Sequence, residues 1–425
     1  MISKDALFRI FSEGDEKFKV KLIERYCQEK AVEYLSYKEV LAITGVRRCG
    51  KTYLMYSLIQ RLIQKGVSAN NIAYINFEDE RLAFIEPNDL EAVYEAFVEF
   101  SRPNGKIYFF LDEIQNVPLW EKWISRMYEK VKFVISGSSS ALLSSELATA
   151  ITGRVIELSL YPFSFKEYIS YKNPALLETR KKYSAESKAQ IASFLKEYLN
   201  KGGFPEPLLF GKSDLLQEYY KAIVLRDIIS RYNIKHKDYV EKISLYLLSN
   251  IGKHISLYAL TAENPIGINT IKNYLNYMEK CHLLLFMKKF DYSIKKQNAN
   301  PRKVYAVDTA LAESVSFKFT EDKGRIIENA VFLELLRRKK SVYYHKGSYE
   351  CDFLVKERLK IESALQVCLE LNEEAKKREI NGLIEAMKKY GLKEGSIISY
   401  EQEDTLTVEK RKIRIVPLWK WLLEY

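Results

Sequence analysis

Eight residues near the start of the chain are spaced for phosphate chemistry. Gly45, Val46, Arg47, Arg48, Cys49, Gly50, Lys51 and Thr52 spell G-x-x-x-x-G-K-[ST]. The apolar run Val40, Leu41, Ala42, Ile43 precedes them, and Leu54, Leu58, Ile59, Leu62 and Ile63 follow at helical spacing. A strand before and a helix after is the context in which this spacing makes a phosphate loop. The glycines let the backbone curl so that successive N–H groups face phosphate oxygens, and the helix N-terminus reinforces them. Lys51 is spaced to reach the β- and γ-phosphates and the Thr52 hydroxyl to ligate Mg²⁺. Tyr53 completes the nucleotide-binding stretch.

A second group supplies hydrolytic chemistry. Ile107, Tyr108, Phe109, Phe110 and Leu111 end in Asp112-Glu113, an apolar strand closed by two acids. Asp112 is expected to hold Mg²⁺, directly or through water, and Glu113 to polarise the attacking water. A carboxylate suits that second role because it must accept a proton beside a metal-bound triphosphate. The strand Lys132 to Ile135 ends in Ser136-Gly137-Ser138-Ser139-Ser140. Ser138 is the candidate that senses the γ-phosphate or the lytic water, with Ser136 its near rival.

These residues need a common scaffold. Strands expected at 40–43, 72–77, 107–111 and 132–135 alternate with helical stretches, which predicts an α/β fold with a doubly wound parallel sheet and nucleotide at the C-terminal strand edge. From Phe165 to about Tyr232 the spacing is helical, interrupted by a turn at Gly202-Gly203 and by Pro205.

The order of phosphate loop, D-E strand, serine-tipped strand and Thr152-Gly153-Arg154 resembles the AAA-type ATPases. The Ser136–Ser140 tip, Tyr161-Pro162-Phe163-Ser164-Phe165 and Gly202-Gly203-Phe204-Pro205-Glu206 resemble an archaeal and bacterial branch with a nuclease-like C-terminal domain. The resemblance implies an ATPase core over residues 1–160, a helical lid over 161–235, a winged helix over 236–312 and a restriction-nuclease-like domain over 313–425. It also implies a homo-oligomer in which an arginine reaches the neighbouring subunit's γ-phosphate; Arg154 is the candidate and Arg126 the reserve.

Charge points to a partner. The chain has a formal net charge of +11, and Lys235 to Lys303 alone carries twelve Lys/Arg against five Asp/Glu. A local basic excess is the footprint of a polyanion, nucleic acid first. Residues 269–280 read as a recognition helix, with Ile271, Leu275 and Met278 on its buried face. Lys272, Asn273, Asn276 and Lys280 are on the other face, side chains suited to phosphates and base edges. Lys288, Lys289, Lys295 and Lys296 are expected on a wing. Winged helices also bind proteins, so a protein partner stays open.

The C-terminal part resembles the restriction-type nucleases, whose pattern is an Asp on one strand and Glu-x-Lys on the next. Asp352 fits the first position, with Glu328 or Glu350 as further carboxylates, but Gln366 and Cys368 fill the other two. An amide and a thiol replace neither a Mg²⁺ carboxylate nor a lysine, so nuclease activity is not expected unless a lysine such as Lys356 or Lys360 takes over.

Composition excludes other classes. The 425 residues are 47% apolar and 29% charged, with no apolar run approaching the roughly 18 residues of a membrane span. Five scattered cysteines without C-x-x-C argue for a reducing, cytoplasmic setting. The reading is a Mg-dependent ATPase of the AAA type acting on or with DNA. A nucleotide-gated switch for a protein partner and an ATP-controlled endonuclease are the alternatives.

Overall fold

Strand β1 (Val40–Thr44) is buried at every residue: parallel strands pair both of its edges, and its continuous apolar run is that of a parallel strand covered on both faces. In this computed structural model, residues 2–137, 153–178, 184–316 and 323–424 are described. The chain divides into two units, Met1–Leu160 and Tyr161–Tyr425.

The first unit is built on five parallel strands. They are β1, β2 (Ile72–Asn76), β3 (Ile107–Asp112), β4 (Val131–Gly137) and β5 (Val155–Ser159), in the spatial order β2-β3-β4-β1-β5. β5 has no counterpart in the sequence reading: Val-Ile-Glu-Leu-Ser alternates too weakly and is too short to announce itself, and it is edge pairing with β1 that makes it a strand. Helices α1 (Lys4–Lys17), α2 (Gln28–Tyr34), α3 (Lys51–Gln64), α4 (Asp89–Ser101) and α5 (Trp120–Met127) complete the unit. One side of the core is aromatic: Phe97 and Phe133 meet Phe109 edge-on at 5.2 and 6.1 Å, and Trp123 meets Phe133 at 5.3 Å. Lys132 is buried in β4, yet its ammonium donates to the carbonyls of Tyr34 (2.7 Å) and Tyr37 (2.9 Å).

The second unit opens with helices α6 (Phe165–Lys172), α7 (Ala185–Lys201), α8 (Pro205–Phe210) and α9 (Leu215–Ala222), the last running into a π-helical turn at Ile223–Ser230. Gly202 and Gly203 follow α7 because a Cβ there would collide with Asp308 Oδ1 at 2.2 Å and the Phe163 carbonyl at 2.4 Å. The Gly203 N–H donates to Asp308, which also caps α14 (Thr309–Val315).

Between these lie α10 (Lys237–Leu248), β6 (His254–Ile255), α11 (Leu257–Glu263), α12 (Ile268–Lys280), β7 (Leu284–Met287), α13 (Ile294–Ala299) and β8 (Arg302–Ala306). Their three strands form an antiparallel sheet in the order β6-β8-β7. The connection from β7 to β8 is not the free wing expected. It carries helix α13, and its first residues pair with β9 (Ser341–Lys346): the Phe290 N–H donates to the Tyr344 carbonyl at 2.9 Å, and the Tyr344 N–H to that of Lys288 at 3.1 Å. Phe290 continues into the core beyond.

That core lies under a mixed six-stranded sheet. Its strands are β9, β10 (Glu350–Glu357), β11 (Lys360–Val367), β12 (Glu394–Ser399), β13 (Asp404–Val408) and β14 (Arg411–Pro417), ordered β13-β14-β12-β11-β10-β9. Helices α15 (Lys323–Arg337), α16 (Glu373–Tyr390) and α17 (Leu418–Glu424) accompany it. Among the described residues no helix is long and apolar enough to cross a membrane.

Candidate functional site

The turn from β1 into α3 is shaped by its glycines. A Cβ on Gly45 would lie 2.3 Å from the Leu160 carbonyl oxygen. Leu160 cannot retreat, because its N–H donates to the Thr44 carbonyl at 2.7 Å. Gly50 caps α3 with φ 103° and Arg48 has φ 69°, so the loop folds back on itself and leaves the first turn of α3 at its mouth. The N–H groups of a first turn have no partner within the helix and attract anions. From outside the loop, the buried Arg25 donates to the Cys49 carbonyl at 2.9 Å. The spacing of the motif gives no hint of that brace. Cys49 is fully buried and its thiol is pushed up by that burial, which makes it a packing group.

The chemical side chains converge at this mouth. Lys51 is buried, its Nζ 3.2 Å from the Gly45 carbonyl and 3.5 Å from Glu113 Oε1. The Thr52 hydroxyl donates to Asp112 Oδ2 at 2.6 Å. Asp112 also accepts from the Tyr74 hydroxyl at 3.0 Å and from Ser136. Burial, then neighbouring Glu113, push its carboxyl up, while the hydroxyls of Ser136, Thr52 and Tyr74 pull the other way. Glu113 has φ 53° at the end of β3, and its N–H donates to Ser136 Oγ at 3.1 Å. Ser136 is therefore the serine tied to the acids; Ser138 lies outside the described residues.

The remaining nucleotide-loop residues are peripheral. Arg47 pairs with Glu78 at 3.0 Å, and Arg48 and Tyr53 are exposed. Arg154 stands at the start of β5, where its carbonyl accepts from the Val40 N–H. That is the opposite end of β1 from the loop, so Arg154 does not reach the phosphate loop of its own chain. Its guanidinium lies 4.5 Å from the Tyr128 ring centroid, and Arg126 is paired with Glu91.

In the second unit α12 presents Lys272, Asn273, Asn276 and Lys280 to solvent and buries Ile271, Tyr274 and Met278; Tyr274 takes the buried place expected of Leu275. Lys295 and Lys296 on α13 are exposed, as are Tyr292 and Ile294 beside them. Lys288 and Lys289 are half-buried in the stretch that pairs with β9, and Lys288 donates to Asn298 at 2.9 Å.

A second polar cluster joins the two sheets of this unit. Lys303, from β8, is buried and places Nζ 3.0 Å from Asp352, 3.0 Å from Glu328 and 2.8 Å from Glu350. Tyr305 donates to Glu328 at 2.7 Å and His254 lies 2.8 Å from Glu350. Gln366 accepts from the Asp352 N–H at 3.1 Å and donates to Glu379. The buried cation of the cluster is thus Lys303, with the more exposed Lys346 3.3 Å from Glu350, and not Lys356 or Lys360, which sit at the far end of the β10–β11 hairpin. No strand-to-strand spacing links residue 303 to 352, so only the folded chain reveals it.

Residues 37–169 match the family model described as an AAA domain, and residues 193–322 match one described as a domain of unknown function. An uncharacterised protein of Methanocaldococcus jannaschii is 34% identical over all of this chain and 97% of its own length. This chain belongs to the same family of AAA-domain proteins. A second uncharacterised member, from Haemophilus influenzae, is 33% identical over 78% of this chain and 83% of its own. Similar solved structures include a DNA polymerase III gamma subunit-related protein of Thermotoga maritima, at 14% identity and TM-score 0.27 over 60% of this chain and 97% of that one. Another is the ADP complex of Hsp104 from S. cerevisiae, at 14% identity and TM-score 0.33 over 63% and 51%.

Proposed function

We propose that this AAA-domain protein hydrolyses ATP with Mg²⁺ at the β1–α3 loop. The observation that carries the reading is the convergence of Lys51 and Thr52 from α3 with Asp112 and Glu113 from the end of β3 on one glycine-shaped loop. The donor set suits a hard cation and a triphosphate: a hydroxyl and a carboxylate beside a lysine and a helix N-terminus. Bound Mg²⁺ would supply charge neutralisation between the β- and γ-phosphates. Lys51 binds the phosphates, Asp112 keeps Thr52 oriented, and Glu113 accepts the proton of the attacking water. Lys51→Ala should abolish binding of a fluorescent ATP analogue, while Glu113→Gln should retain binding and lose turnover. Parental turnover in Glu113→Gln would move the catalytic base elsewhere.

DNA is the partner favoured for the second unit. The order α10, β6, α11, α12, β7, β8 with a sheet ordered β6-β8-β7 supports the winged-helix reading, with α11 and α12 as its helix-turn-helix. Its exposed face carries Lys272, Asn273 and Asn276, groups that bind phosphates and base edges.

The six-stranded part is read as nuclease-like in fold without DNA cleavage. Its Asp352 and Glu328 already neutralise a buried ammonium, and a divalent cation would have to displace Lys303 to reach them. Metal-dependent cutting of linear or branched DNA, lost in Asp352→Ala and kept in Lys51→Ala, would promote the endonuclease reading instead.

A further inference from the structure

The D-E motif leaves a tyrosine unaccounted for. Tyr74 lies on β2, paired with Phe110 of the neighbouring β3, two positions before the pair that brings Asn76 beside Asp112. Its ring is buried, held edge-on by Phe18 at 5.9 Å and Tyr56 at 5.1 Å. Its hydroxyl accepts from Tyr56 at 3.3 Å and donates to Asp112 Oδ2 at 3.0 Å.

We propose that Tyr74 is a positioning residue for the metal at the phosphate loop, acting through Asp112. This rests on the Mg–ATP reading above. A carboxylate oxygen offers about two in-plane acceptor sites. Oδ2 of Asp112 has both filled, by Thr52 at 2.6 Å and by Tyr74, and Oδ1 accepts from Ser136. Three hydroxyls from three elements therefore fix the rotation of one carboxylate.

The consequence falls on Thr52. A hydroxyl has one proton and two lone pairs. While Asp112 Oδ2 takes that proton, the lone pairs face away from the acid and are available to a divalent cation. If the carboxylate swings, Thr52 turns with it. Thr52 on α3 and Ser136 on β4 are short side chains within the motifs; Tyr74 is the brace supplied from outside them, and its packed ring gives it a fixed reach.

Tyr74→Phe removes the hydroxyl and leaves the ring, and Tyr56→Phe removes only the donor behind it. The parent and both variants are titrated with Mn²⁺ at a fixed concentration of a non-hydrolysable ATP analogue, with free Mn²⁺ followed by electron paramagnetic resonance. Analogue affinity in EDTA and melting temperature are measured alongside. Outer hydrogen-bond partners of a metal site are worth about tenfold or more in metal affinity. Tyr74→Phe should raise half-saturation by Mn²⁺ about tenfold, with EDTA affinity and melting temperature unchanged and Tyr56→Phe close to the parent. A Tyr74→Phe protein within about twofold of the parent for Mn²⁺ overturns the proposal. So does an equal loss of analogue affinity in EDTA, which would make Tyr74 a packing residue of the loop. A parent that binds no analogue at all fails the ATP reading itself, a result visible before any variant is made.

Discussion

Single residues in this chain place ionisable groups where water cannot help them. Glu328 is the clearest case: burial pushes its carboxyl up to about 7, against the pull of Lys303. In the unfolded chain it titrates near its ordinary value, so between the two values the folded state holds a proton that the unfolded state has released. Its stabilising contribution is therefore present below the ordinary value and is lost as pH rises through about 7. Glu350, held well below its usual range by His254 and Lys303 despite burial, acts in a lower pH window and does not mask this. Melting temperature should fall between about pH 5 and 7 in the parent and fall less in Glu328→Gln. Equal slopes would mean that the Glu328 proton is not taken up on folding. The same scale shows what sequence cannot give: Lys51, Thr52, Asp112 and Glu113 stood out by spacing, whereas Arg25, Tyr74 and Lys303 reach their sites from other elements and belong to no local motif.

At the scale of elements, legibility followed burial on both faces. β1 and β3 were readable because central parallel strands are continuous apolar runs; β5 was not, since only its pairing to β1 distinguishes it from a loop. The β7–β8 connection misled for a related reason. Lysines usually mark solvent, and Lys288-Lys289 hide a backbone ladder to β9 between their side chains. This bears on nucleic-acid binding. Exposed Lys272 and Asn273 on α12 and Lys295 and Lys296 on α13 are among the groups still able to meet a polyanion. Duplex affinity should fall with salt, by about 0.9 in log K per log unit of salt for each phosphate contacted. Replacing either pair by alanine should weaken binding, and removing the two lysines of α13 should flatten the slope. Salt-independent binding, or binding indifferent to both changes, would point to a protein partner instead.

For the whole molecule, the position of Arg154 is informative. Placed at the opposite end of β1 from its own loop, it can serve a phosphate only across a contact between copies of the chain. Arginines acting in that way are worth on the order of 10³–10⁵ in rate. Mixing Arg154→Ala with Lys51→Ala subunits should restore part of the turnover that each lacks alone. Mixtures that assemble and stay inactive would return Arg154 to its place beside Tyr128 and Ser125. The second unit has its own consequence, drawn from the ladder between residues 288–290 and β9 and from Lys303 among the acids of α15 and β10. Proteins exchange parts by recombination only where a cut leaves both pieces complete. A gene joined anew after residue 312 would inherit a strand edge without its neighbour and an ammonium without its acids. The incoming part would have to supply both at once, so the segment from α10 to β8 and the six-stranded sheet are expected to travel through evolution as one heritable piece.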